Sequence, residues 1–222
     1  MKLIIANRNY SSWSLRAWLV LKHFGIPFEV ELVLLNGEGW QENIRRKSPS
    51  GQVPMLIDGD VRIPESIAII EYLNDKYPAK QIWPSGRIER AIARSVSAEM
   101  HGGFRTLRDA APMNLRASHP GKVDHDLVAA DLRRIEEIWG DLTSDSGGPF
   151  LFGKFTAADA MFAPVATRIR TYALPVSDVA AEYVETIYAL PAFQEWLTEA
   201  IKEPWIVEQD EIDIMQGRAP TP

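Results

Sequence analysis

Hydroxyl side chains crowd one short stretch near the start of the chain, Asn9-Tyr10-Ser11-Ser12-Trp13-Ser14-Leu15-Arg16, in a sequence that has no cysteine. The stretch lies between an apolar run over residues 2–7 and a segment over 14–24 with apolar side chains at Leu15, Trp18, Leu19 and Leu21. It reads as the turn from a first strand into a first helix. Hydroxyls at such a turn have two jobs open to them. One is to cap the helix by accepting a bond from a free N–H. The other is to join those N–H groups and the positive end of the helix dipole in holding an anion. A thiolate would be such an anion, but with no cysteine the thiol has to arrive with a ligand. The same absence excludes a disulfide framework, thiolate metal sites and a cysteine nucleophile.

Two further sites belong to the same half of the chain. Ser50-Gly51-Gln52-Val53-Pro54 precedes an apolar run. A cis bond before Pro54 would turn the backbone of Val53 outward to pair with a peptide-like ligand, whereas a trans proline would simply open a strand. Pro64-Glu65-Ser66 opens a helical pattern, where Ser66 is placed for a carboxylate and Glu65 for an ammonium group. The bland alternative is an acidic first turn of ordinary helix design.

The elements that must position these residues are read from periodicity. Residues 28–34 alternate like a second strand, and 40–46 suit a short helix. Residues 53–57 and 61–63 flank Asp58-Gly59-Asp60, a hairpin signal, and 65–77 form a helix. This β-α-β-α-β-β-α order predicts a small mixed sheet with helices on its faces over residues 1–80. A proline-bracketed linker follows, with 81–86 separating the two parts. From residue 87 to 222 the pattern is helical throughout: 87–108, with a possible interruption at Gly102-Gly103, then 124–142, 156–172, 179–190 and 192–201. The tail from residue 204 is acidic, then proline-rich, and is expected to pack loosely.

Together these segments resemble the glutathione S-transferase superfamily. Ser-Ser-Trp-Ser-x-Arg is similar to the Ser-Ser-Cys-Ser-x-Arg motif of the zeta class and, more loosely, to the Ser-Pro-Phe motif of the tau class. Gln52-Val53-Pro54 matches the family's cis-proline loop, and residues 65–73 its Glu-Ser-x-Ala-Ile-x-x-Tyr-Leu segment. Residues 155–160 resemble its Ser/Thr-x-x-Asp capping box, which assigns Thr156 and Asp159 to folding. The resemblance implies a thioredoxin-like glutathione-binding domain followed by an all-helical domain, and usually a homodimer.

It also implies roles. Glutathione, the co-substrate, would lie along Gln52, Val53 and Pro54, with its γ-glutamyl carboxylate on Ser66 and its ammonium on Glu65. Its glycine carboxylate would meet Gln41 or Lys47, with Trp40 as a wall. The catalytic hydroxyl is Ser11 by register with the zeta and tau motifs, or Ser12 counting back from Arg16; Ser11 is preferred. A hydrogen bond to a charged acceptor is worth roughly 1.5–3 kcal/mol, enough to lower a thiol pKa from about 8.5 by about one to two units. Trp13 stands where the zeta motif has cysteine, and Arg16 is expected to pair within its own domain. The electrophile pocket would be lined by Tyr10, Trp13, Met100, Phe104 and Arg105, with Arg108 and Met113 shaping it or solvated.

Composition sets the outer limits. A net charge of −6 argues against a nucleic-acid partner, and the four histidines lack metal-ligand spacing, so no metal is expected. No run approaches the ~18 apolar residues of a membrane span, and the start reads as a strand and not a signal peptide, so a cytoplasmic location is expected. The leading function is transfer of a glutathione thiolate to an electrophilic small molecule. Alternatives are glutathione-dependent cis–trans isomerisation of an unsaturated diacid, with Arg105, Arg108 and Arg170 as candidate cations, and a non-catalytic glutathione-binding protein.

Overall fold

A computed structural model describes residues 1–217. The first half builds β1 (Lys2–Ala6), α1 (Ser12–His23), β2 (Glu29–Val33), α2 (Trp40–Lys47), β3 (Met55–Asp58), β4 (Val61–Pro64) and α3 (Ser66–Lys76). The sheet order is β2-β1-β3-β4, with β1 parallel to β2 and antiparallel to β3, and β3 antiparallel to β4. Leu3 and Ile5 of β1 and Leu56 of β3 supply one buried face, which packs with α1 and α3; Ile4, Val33, Ile44 and Met55 form a smaller apolar cluster beside it. This is the expected thioredoxin-like arrangement.

The rest is helical: α4 (Arg87–Gly102), α5 (Arg105–Ala110), α6 (His125–Ser146), α7 (Ala157–Tyr172), α8 (Asp178–Ala189), α9 (Pro191–Lys202) and α10 (Ile212–Met215). Helix α7 is the axis of the molecule. Every residue in it except Arg170 is buried, and it packs against α1, α4 and α8. A helix apolar nearly all round has no solvent face to offer, which puts it at the centre. Among the described residues no helix is long and apolar enough to cross a membrane.

The possible interruption at Gly102-Gly103 is present, so the stretch over 87–108 is not one helix but two. The Gly103 N–H still bonds to the Glu99 carbonyl at 2.8 Å, but its backbone is extended (φ −103°, ψ −165°) and Phe104 adopts left-handed values (φ 54°, ψ 40°). A Cβ on Gly103 would come within 2.7 Å of the Glu99 carbonyl oxygen, so only glycine permits this corner. Contrary to expectation, the segment after residue 204 is not loose over its described part. Val207, Glu211, Ile212 and Asp213 are buried, and residues 218–222 lie outside the described chain.

Candidate functional site

Ser11 is the N-cap of α1. Its Oγ accepts the Ser14 N–H at 3.3 Å and donates to Ser14 Oγ at 2.8 Å, and Ser14 Oγ also accepts the Ala6 N–H at 3.1 Å. Capping is therefore one real role of Ser11. Ser12, half-buried at the first helical position, makes no side-chain hydrogen bond among the described residues.

The Val53–Pro54 bond is cis. The Val53 N–H and C=O enter none of the turn, loop or cap hydrogen bonds of the described residues, so this edge is open to a ligand backbone. Glu65 sits at φ 85°, a conformation that L residues with side chains rarely adopt and that costs on the order of 1–3 kcal/mol. Its surroundings hold it there. The Glu65 N–H donates to the Pro54 carbonyl at 3.2 Å, and its carboxylate accepts the Ile67 N–H (3.0 Å), the Ala68 N–H (3.3 Å) and the Ser66 hydroxyl (2.9 Å). His101 Nδ1 lies 3.4 Å from the same carboxylate. The Ser66 N–H belongs to the free amides of a helix start.

These groups line one cavity of about 670 Å³, within the roughly 300–1,000 Å³ usual for small-ligand sites. From the first half come Tyr10, Ser11, Ser12, Trp13, Trp40 and residues 51–54, with Glu65 and Ser66; from the second come His101, Arg108, Met113, Arg168 and Asp210. The lining fits a peptide-like ligand: open backbone at Val53, a carboxylate at Glu65, and hydroxyls at a helix start.

Several candidates lie elsewhere. Met100 and Phe104 are buried in the hydrophobic core and do not line the cavity: Met100 lies on the core-facing side of α4, and Phe104 turns into the core at the corner. Arg105 is turned to solvent, its side chain 88% exposed and paired with Asp109 at 3.2 Å. Arg170 is exposed, pairs with Glu185 and stacks 3.5 Å from the Tyr188 ring. Neither Gln41 nor Lys47 lines the cavity; Lys47 pairs with Glu31. Arg16 forms no ion pair among the described residues, and it joins the two halves. It is buried, donates to the Met161 carbonyl in α7 at 3.2 Å, and stacks 4.2 Å from the Trp13 ring.

What the sequence reading missed is Arg168 and Asp210. Buried Arg168 is fixed by its Nε on the Ala111 carbonyl (2.8 Å) and a terminal nitrogen on the Pro164 carbonyl (3.0 Å). Arg108 reaches the carbonyls of His101 and Gly103, each at 3.3 Å, and lies 4.8 Å from the Trp13 ring. Burial, then mutual repulsion among Arg16, Arg108 and Arg168, pushes Arg16 down to about 9 and Arg168 to about 10. All three remain cations at neutral pH, and none forms an ion pair among the described residues. Uncompensated buried charge is costly, so this end of the cavity favours an anion. Among the described residues no group of three or more His, Cys, Asp or Glu could hold a metal ion.

The comparisons agree with this geometry. Family models described as the N-terminal and C-terminal domains of glutathione S-transferase match residues 10–76 and 91–199. A probable maleylacetoacetate isomerase of Caenorhabditis elegans is 29% identical over 193 residues, 84% of this chain and 87% of the relative. Glutathione S-transferase Z2 of Arabidopsis thaliana is 35% identical over 105 residues, 47% of this chain and less than half, 46%, of the relative. The crystal structure of a glutathione transferase homologue from Burkholderia strain BGR1, with bound glutathione, superposes with a TM-score of 0.69 at 27% identity, covering 91% of this chain and 98% of that one. With both domain models matched in order, and with the cis-proline edge, the strained Glu65 and the serine-capped helix converging on one cavity, the chain belongs to the glutathione S-transferase family.

Proposed function

We propose that the chain is a glutathione-dependent enzyme in which Ser11 ionises the bound thiol for attack on an electrophilic small molecule. Glutathione, when bound, supplies the nucleophilic thiol that a cysteine-free chain lacks. The observation that carries the reading is the position of Ser11 Oγ, lining the cavity at the start of α1 and 2.8 Å from Ser14 Oγ. In the structure the Ser11 hydroxyl donates to Ser14 Oγ; a bound thiolate would take over that proton, and the Ser14 hydroxyl would turn its own proton to Ser11, whose oxygen then accepts it together with the Ser14 N–H. Its own O–H is then free to donate into the cavity, strengthened by the bonds behind it. Val53 would pair with the ligand backbone, Ser66 with a carboxylate and Glu65 with an ammonium group, while Gln52, Pro54 and Trp40 wall the site. The test is thiolate absorbance of the glutathione complex against pH for wild type, Ser11→Ala and Ser12→Ala. A bound thiol titrating at its free value in wild type would reduce the chain to a glutathione-binding protein.

The paired cations favour a second reading within the same chemistry: glutathione-dependent cis–trans isomerisation of an unsaturated diacid, of the kind named for the nematode relative. Arg108 and Arg168 face the cavity where such carboxylates would lie, with Tyr10, Trp13 and Met113 as its walls. Turnover of a maleyl diketo acid but not of aryl halides would select isomerisation over transfer. The same family membership supports a two-fold homodimer.

A further inference from the structure

The segment after α9 is tied to the rest of the chain at several points and brings Asp210 into the cavity wall. Glu203 accepts the N–H groups of Arg8 (2.9 Å) and Asn9 (3.2 Å). Glu211 accepts the Tyr10 hydroxyl at 2.5 Å and Asn114 Nδ2 at 3.0 Å, and Asp213 pairs with Lys122 at 2.6 Å. Between these ties Asp210 is held in the cavity wall, as is Arg168, yet the two form no ion pair within 4.0 Å. A carboxylate and a guanidinium thus line one cavity without pairing, the guanidinium held by the Ala111 and Pro164 carbonyls.

We propose that Asp210 is a specificity-determining residue for the second substrate: an anionic electrophile docks on Arg168 only as the Asp210 carboxylate takes up a proton, so such a substrate binds together with one proton from solvent. The inference rests on the anionic reading of the cavity given above. A dianion seated between Arg108 and Arg168 places negative charge in the cavity that Asp210 lines, and protonation removes the repulsion. A neutral electrophile makes no such demand.

Asp210 is already poised for this. Burial raises its pKa to about 6, with Arg168 opposing and the neighbouring Glu211 reinforcing the shift. Tyr172 of α7 lies within its field, and His101, Arg108 and Asp109 line the same cavity. Because His101 lines the same cavity, variants and not the pH slope alone must decide.

The probe is fumarate, ionised at both ends above pH 6, with the neutral diamide fumaramide as its isostere. Binding to the full-length, glutathione-saturated protein is followed by calorimetry from pH 6 to 8 in buffers of different ionisation heat, which counts protons. Wild type should weaken by up to about tenfold per pH unit and take up as much as about one proton per fumarate. Asp210→Asn should abolish the uptake and bind fumarate up to about 100-fold more tightly than wild type at pH 8. Asp210→Glu should restore the uptake, and fumaramide should bind wild type and Asp210→Asn alike. Proton uptake that persists in Asp210→Asn, or equal fumarate affinity of the two chains at pH 8, overturns the role of Asp210 and leaves the anionic cavity standing. Fumarate that binds neither chain at pH 6 overturns both.

Discussion

The hydroxyl oxygens of Ser11 and Ser14 stand 2.8 Å apart, and behind them the Ala6 N–H donates to Ser14 Oγ at 3.1 Å. Strand β1 therefore connects to the mouth of α1 through two buried serines, one a cap and the other fully enclosed. Ser11→Ala removes the donor itself. A charge-assisted bond of roughly 1.5–3 kcal/mol corresponds to a bound-thiol pKa about one to two units higher. Lost capping should add about 1 kcal/mol of destabilisation. Ser14→Ala keeps the Ser11 hydroxyl but removes the group behind it and leaves the buried Ala6 N–H unpaired, so it should give a smaller rise in thiol pKa together with a loss of stability. Ultraviolet thiolate titration reads both. An unmoved thiol pKa in Ser11→Ala would transfer the role to Ser12.

Arg168 is the group on which anion selectivity should turn. Arg168→Met keeps an unbranched stem and removes the charge. Loss of one charged hydrogen bond predicts a fall of about 10- to 150-fold in kcat/KM for a carboxylate-bearing electrophile. A neutral aryl halide should lose little. Stability should change modestly, because a buried cation without a carboxylate partner is replaced by apolar volume, although the Ala111 carbonyl loses the Arg168 donor while Pro164 keeps the Thr167 hydroxyl. Equal losses on both substrates would point to a packing defect and not to charge recognition. Arg170→Met, on the solvent side of the same helix, serves as the control.

These two arginines also show how far the sequence was legible. The order of strands and helices, the proline edge and the Glu65-Ser66 helix start are local signals, each written in a few adjacent residues. Arg168 and Arg170 lie two positions apart on a helix, nearly opposite faces, so only one can point inward. The buried neighbours Pro164, Val165 and Tyr172 mark the face of Arg168, but the other apolar and small residues all round α7 blur that stripe, and Arg170 reads equally well as the candidate cation. Arg105 failed for a backbone reason: the turn at Gly103 and Phe104 resets the helix face, and no spacing rule reports the angle. Asp210 was out of reach because its place depends on ties made by Glu203 and Glu211 to residues about two hundred positions earlier.

The homodimer can be tested on exposed apolar side chains. Ile88 and Ile92 lie four apart on α4, 66% and 41% exposed, and Val61 on edge strand β4 is 46% exposed. Residues i and i+4 share one helix face, and large aliphatic groups left in water on such a face are natural interface material. Light scattering should give a mass near two chains for wild type and near one for the Ile88→Glu, Ile92→Glu double variant. A wild-type mass of one chain removes the dimer.

Asp159 secures the helix that carries Arg168. Its carboxylate, fully buried, accepts four bonds: the Thr156 N–H at 2.8 Å, the Thr156 hydroxyl at 3.1 Å, the Leu151 N–H at 3.0 Å and the Tyr183 hydroxyl at 3.0 Å. One step beyond the box, the Ala157 N–H donates to the Ile82 carbonyl at 2.8 Å, tying the start of α7 to the segment between the two halves. Asp159→Ala leaves all four donors buried and unpaired. At about 1–3 kcal/mol for each unsatisfied group, a loss on the order of 4 kcal/mol is expected. That is a large share of the roughly 5–15 kcal/mol that holds a typical domain folded. Asp159→Asn should recover part of the loss, since one amide oxygen still accepts while the amide nitrogen meets donors. Urea unfolding measures both. Because α7 touches α1, α4 and α8, its loosening should lower activity on anionic and neutral electrophiles alike, unlike Arg168→Met. A stability change under about 1 kcal/mol would mean that the packing of α7 holds its own start in place without the carboxylate.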